Sequence, residues 1–187
     1  MFKFKKIGLV DSLIILSIIV VVTSLFQSKD PYKMEPRHIP YNEHNYNGPE
    51  SLLAMLAKFR IQTTRDRIAQ LAGTDAQGTC MHGLKEAADT LGMKAIVLML
   101  SQKDLERYVK EGVGVIALVN DHYVWVKEIQ PGGVLIKDIQ PGFRFVSLEE
   151  WHAMWFAGKT SDGEGLGYCM LVSPNRLTLP SPWDGHP

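Results

Sequence analysis

Asn45-Tyr46-Asn47-Gly48-Pro49-Glu50-Ser51-Leu52-Leu53-Ala54-Met55-Leu56 is the stretch on which the reading of this 187-residue chain turns. Gly48-Pro49 predicts the opening of a helix, because proline lacks the N–H that a first helical turn leaves unused. Leu52, Leu53, Leu56 and Phe59 recur at helical spacing and give that helix one apolar face. Immediately before the opening stands Asn47. A thiol placed there would be activated by the positive end of the helix. An amide cannot attack a carbonyl.

On the N-terminal side, residues 1–6 carry Lys3, Lys5 and Lys6, and residues 7–26 are apolar apart from Asp11 and a few hydroxyl groups. Some twenty residues at 1.5 Å each span about 30 Å, the thickness of a bilayer core. The run has no polar face between Leu13 and Val22, which argues against a buried helix of a globular domain. It predicts a single transmembrane helix acting as a signal-anchor. A cleaved signal peptide is the competing reading, although no small-x-small cleavage site follows the run. The three lysines place the N-terminus in the cytoplasm and the remainder across the inner membrane, periplasmic or extracellular. Residues 27–40, polar and broken by prolines, read as a linker.

On the C-terminal side, helices come first and strands later, an α+β pattern over residues 41–174. Thr63 or Thr64 caps a short helix through Ile68 and Leu71. A third helix carries Leu84, Ala87, Ala88 and Leu91 and stops at Gly92. Lys94 to Met99 reads as a buried strand, and Ser101 caps the helix through Leu105 and Tyr108. Val115–Val119, His122–Ile129 and Val134–Lys137 read as strands, the last two joined by Pro131-Gly132-Gly133. A helix starting near Ser147 carries Trp151 and Trp155, which together with Phe156 are assigned to packing. Tyr168–Val172 is the last strand, and residues 175–187, containing Trp183, form an extended tail.

Composition narrows the function. The 20 basic and 20 acidic side chains balance, so no nucleic-acid partner is expected. The six histidines and two cysteines show no metal-ligand spacing, so neither a metal nor another cofactor is expected. Cys80 and Cys169 read by default as two isolated buried thiols, with one disulfide in an oxidising compartment as the alternative.

Four separated pieces resemble the bacterial double-glycine leader peptidases, the papain-like cysteine peptidases that process bacteriocin precursors. Asn47-Gly48-Pro49-Glu50-Ser51-Leu52-Leu53-Ala54-Met55 is similar to the family's nucleophile helix, which commonly opens Cys-Gly-Pro. Gly78-Thr79-Cys80-Met81-His82-Gly83-Leu84-Lys85-Glu86-Ala87-Ala88 is similar to its second signature. Asp121-His122-Tyr123-Val124-Trp125-Val126 resembles the strand bearing the catalytic histidine. Ile136-Lys137-Asp138-Ile139-Gln140-Pro141-Gly142 resembles the stretch bearing the acid. The resemblance implies a papain-like fold, N-terminal helices packed on an antiparallel sheet, with a site at Asn47, His122 and Asp138.

In that family a thiolate pairs with the strand histidine, and a carboxylate or carboxamide orients the ring. Here the thiolate's position is held by Asn47, and Tyr41 or Asn42 stands where the family's oxyanion-hole glutamine is expected. The resemblance therefore implies a pseudoenzyme with no catalytic residue. Its role would be that of an accessory or structural subunit of a membrane protein complex, binding a peptide or protein, with Asp11 and Trp183 as partner contacts. The alternative is an active membrane-anchored peptidase whose nucleophile is displaced to Cys80.

Overall fold

The computed structural model describes residues 43–139, 141–175 and 177. The predicted anchor with Asp11, the linker, the Tyr41 and Asn42 positions and the tail with Trp183 lie outside the described residues. Among the described residues no helix is long and apolar enough to cross a membrane.

Five helices and seven strands follow in the order α1 (Glu43–Lys58), α2 (Arg65–Leu71), α3 (Met81–Thr90), β1 (Lys94–Ser101), α4 (Gln102–Lys110), β2 (Gly114–Val119), β3 (His122–Gln130), β4 (Gly133–Lys137), β5 (Arg144–Ser147), α5 (Leu148–Trp155), β6 (Phe156–Lys159) and β7 (Gly165–Ser173). The strands form one antiparallel sheet in the order β1-β7-β2-β3-β4-β5, with β6 also paired to β7. This is the α+β architecture expected from the sequence. The caps are local: Thr64, Ser101 and Ser147 each accept a backbone N–H at the start of α2, α4 and α5.

Alternation along the strands sends side chains to two cores. On one face Ile116, Tyr123, Trp125, Met170 and Val172 meet Leu52, Met55 and Leu56 of α1, Ile68 of α2, and Leu84, Ala87 and Ala88 of α3. On the other, Val115, Ala117, Val124, Val126, Cys169 and Leu171 meet Leu105 and Tyr108 of α4 and Trp151 and Trp155 of α5. The two tryptophans stack with centroids 5.1 Å apart and are fully buried, so they are core, as read from the sequence.

Three expectations are corrected. The first helix does not open at Gly48-Pro49 but at Glu43, with Pro49 inside it. An interior proline removes the N–H that would bond the carbonyl four residues back, here that of Asn45. Thr79 Oγ1 supplies the missing donor at 3.2 Å. That spends the one O–H of Thr79, so the Thr74 hydroxyl, 2.7 Å away, donates to Thr79 in turn. Tyr123 OH donates to the Thr79 carbonyl at 2.9 Å, and Ser51 Oγ donates to the Tyr123 carbonyl at 2.8 Å. Proline is tolerated within α1 because the turn before α3 replaces its missing bond.

Second, β1 is the end strand of the sheet rather than a buried one, and Val97 is 36% exposed. Third, Cys80 is exposed rather than buried; the two thiols are separate and free, and the alternative bridge is not formed. Cys169 lies on the α4/α5 side of the sheet, whereas Cys80 caps α3 on the opposite side and is exposed. Burial raises the Cys169 thiol pKa far above its ordinary range. β5 and β6 were not anticipated.

Two predictions follow from this packing. A Cβ on Gly83 would lie 2.1 Å from the Ala72 carbonyl oxygen, where α3 crosses the end of α2. Backbone cannot swing aside as a side chain can, so Gly83→Ala should destabilise the domain by roughly 1–3 kcal/mol, read from the denaturant midpoint. Burial, with a smaller contribution from Cys80 and Asp121, pushes the Tyr123 hydroxyl up to about 12. The unfolded tyrosine ionises near 10, so between the two values the unfolded chain holds fewer protons and stability falls as pH rises. The wild type should lose about 2–3 kcal/mol more than Tyr123→Phe across that window, in matched denaturation series. At neutral pH the ranking reverses, because the variant lacks a hydrogen bond of about 1 kcal/mol.

Candidate functional site

Asn47 and Ser51 lie one helical turn apart on α1 and both face the start of β3. Ser51 holds the Tyr123 carbonyl, at a point on β3 beyond its last β4 partner, Lys137 opposite Trp125. Asn47 reaches the neighbouring side chain: its Nδ2 is 3.1 Å from His122 Nδ1. Helix and strand are thus joined at two successive residues of β3.

His122 is placed by the β2–β3 hairpin. Asn120 and Asp121 take positive φ values of 47° and 60° and form a two-residue loop, with Val119 paired to His122 across it. Two consecutive left-handed residues are what the primed hairpin turns require, and Asn and Asp tolerate that conformation best after glycine. The Asn120 N–H donates to the Met154 carbonyl at 3.2 Å, fastening the loop to α5.

Asp138 follows β4 directly. Its Oδ1 makes a short contact with His122 Nε2 and also accepts the Ile139 backbone N–H at 2.5 Å. The adjacent Lys137 Nζ donates to the Asp138 carbonyl at 2.5 Å. Asn47, His122 and Asp138, separated in sequence by 75 and 16 residues, therefore form one continuous chain of hydrogen bonds.

Asn47 Nδ2 is set against His122 Nδ1 and Asp138 Oδ1 against Nε2, so each ring nitrogen has a hydrogen-bond partner. In a thiolate–imidazolium pair Nδ1 would carry a proton and face a negative sulfur. The amide of Asn47 is buried at 4% exposure, while the His122 and Asp138 side chains are about 30% exposed, so solvent reaches the site from the histidine side.

Cys80 is not part of this chain. Its sulfur accepts the Gly83 N–H at 3.3 Å as the cap of α3. His82 points outward and lies 3.6 Å from Glu86 one turn on. Sequence reasoning overlooked Ser51, Thr74, Thr79 and Tyr123 as supports of the site. Ser51 offered one signal, a small polar residue four positions after Asn47 on an otherwise apolar helix. For Thr74 and Thr79 no local pattern marks the contact, which depends on how the α2–α3 turn folds back.

Comparison with known proteins supplies the family and the fold. The Peptidase C39 family profile matches residues 37–159. Uncharacterized proteins of Methanothermobacter thermautotrophicus and Methanothermobacter marburgensis are each 37% identical over 60 residues, 32% of this chain. The match spans only 42% of the length of those relatives. Among solved structures, a double glycine motif protease from an AMS/PCAT transporter, in complex with the leader peptide, superposes with TM-score 0.59 at 18% identity, over 75% of this chain and 91% of that one. The peptidase domain of Streptococcus ComA, a bi-functional ABC transporter involved in a quorum sensing pathway, gives TM-score 0.59 at 20% identity, over 73% and 97%. The N-terminal peptidase C39 like domain of the toxin secretion ATP-binding protein from Vibrio parahaemolyticus gives 0.54 at 11%, over 68% and 95%. At these identities the structural likeness speaks for the fold alone. The family profile covers well over half of the sequence, and its residues include Asn47, His122 and Asp138: the chain belongs to the Peptidase C39 family.

Proposed function

We propose that this domain is a non-catalytic member of its family that binds a peptide or protein segment. The observation that carries the proposal is the bond from Asn47 Nδ2 to His122 Nδ1. An amide, which cannot attack a carbonyl, occupies the place from which a thiolate would act and bonds the imidazole there. The crystallised complex of a structural relative with a leader peptide supports a peptide ligand for the same fold.

Residues 7–26 complete the proposal as the anchor that fixes the domain to the outer side of the cytoplasmic membrane, as an accessory subunit of a membrane complex. Their length and hydrophobicity support this reading. Asp11 and Trp183 are the contacts proposed for the complex. An Asp11→Leu chain that still copurifies with the same proteins would remove the helix from that role.

Binding and cleavage separate in one assay, using a fluorescent peptide in which a leader segment ending in Gly-Gly is followed by several further residues. The wild type should raise its anisotropy and leave it intact by mass spectrometry. Asn47→Cys should create a thiol beside His122 that alkylates at pH 6 about tenfold or more faster than Cys80. Turnover by the wild type that disappears in Cys80→Ala would establish the displaced-nucleophile peptidase instead.

A further inference from the structure

The sheet ends on two very different strands. β5 is four residues long and carries Arg144, the short and charged edge by which folded proteins discourage strand addition. β1 is eight residues long, pairs with β7 without a bulge, contains no proline or glycine, and is uncharged after Lys94. Nothing in its own sequence blunts it.

Its outer backbone groups can be assigned. The Ala95 N–H donates to Asp89 Oδ1 at 3.1 Å and so faces away from β7. Backbone groups of a paired strand alternate between neighbours with a period of two. Val97 and Met99 therefore present their N–H and C=O groups along the same outer edge, and at Ser101 the chain turns into α4. Among the described residues none bonds to either on that side. Val97 lies across from Met170, and Met99 across from Tyr168, itself 45% exposed. The open edge is thus flanked by an apolar strip on one face.

We propose that this edge is an interface for a second copy of the chain, with β1 pairing antiparallel to β1 about a two-fold axis at Leu98. The two outward-facing residues fit this arrangement. Val97 of each copy exchanges both backbone hydrogen bonds with Met99 of the other, giving four bonds and leaving neither residue over. The axis is perpendicular to the sheet, so Val97 and the second copy's Met99 share a face and cover each other's exposed side chains. Charge favours the same direction. Antiparallel pairing puts the two Lys94 residues, the only charges in the strands, at opposite ends of the ladder, whereas parallel in-register pairing would set Lys94 against Lys94.

The register is testable because Leu98 meets Leu98 of the second copy in a non-hydrogen-bonded pair with Cα atoms about 4.5 Å apart, within disulfide reach. In the full chain carrying Cys80→Ser, which removes the exposed native thiol, Leu98→Cys should shift from monomer to disulfide-linked dimer under mild oxidation. Ile96→Cys in the same background should remain monomeric, since the two positions are four residues out of register, roughly 13 Å. Val97→Pro removes an N–H that β7 does not use, and should abolish the cross-link and halve the solution mass of the wild type. Should the proline variant unfold by circular dichroism, Val97→Lys at the same exposed side chain is expected to do likewise. A chain that does not cross-link at Leu98, cross-links equally at Ile96, or keeps its dimer in a folded Val97 variant overturns the proposal, including the case in which another protein occupies the edge.

Discussion

The arrangement of this domain depends on the carbonyl of Asn45. Pro49 leaves that oxygen without its helical donor, and a buried carbonyl left unpaired costs roughly 1–3 kcal/mol. Thr79 meets it, and in doing so brings the α2–α3 turn against the first part of α1. Tyr123 then ties the same turn to β3, and Ser51 ties α1 to β3. Three segments distant in sequence are fixed to one another around one missing N–H. The site lies within this frame, so Asn47 and His122 face each other across elements that cannot move independently.

Within the frame, replacing a thiolate with an amide changes the kind of contact more than its place. A thiolate and an imidazolium form a charged pair whose purpose is reactivity. Asn47 and His122 are joined by a hydrogen bond between amide and ring, and Asp138 bonds the ring's other nitrogen. The same three positions thus join α1, β3 and the end of β4 by hydrogen bonds instead of holding a reactive sulfur there. His122–Asp138 also joins the ends of two neighbouring strands where the regular ladder has stopped, Lys137 opposite Trp125 being its last pair. The pair serves as a clasp whether or not chemistry occurs beside it.

Much of this was legible in the sequence, for reasons that can be named. Hydroxyl caps at Thr64, Ser101 and Ser147, glycine at position 92, and the change from helical to alternating periodicity after Gly114 are local signals, and the elements follow them. The three site positions were legible because each sits inside a recognisable run. The start of α1 was misplaced because proline usually marks a first turn, and the bond that permits it within the helix comes from Thr79, thirty-four residues away from Asn45. β5 was missed because Arg144-Phe145-Val146-Ser147 is short and follows Pro141-Gly142. β6 was missed because it continues from α5 with no breaking residue at the junction. The position of β1 at the sheet's end is a property of strand order, which one largely apolar run cannot reveal by itself.

The β2–β3 loop has a mechanical consequence for the histidine. A connection of two left-handed residues has no slack, and its outer end is fastened to α5 at Met154. Side chains alternate across a strand, so a one-residue slip of β3 against β2 would turn the imidazole, together with every other side chain of the strand, to the opposite face. The position of His122 is therefore quantised. Its tolerance is set by a residue count, and small elastic adjustments of the backbone cannot compensate for an error of one.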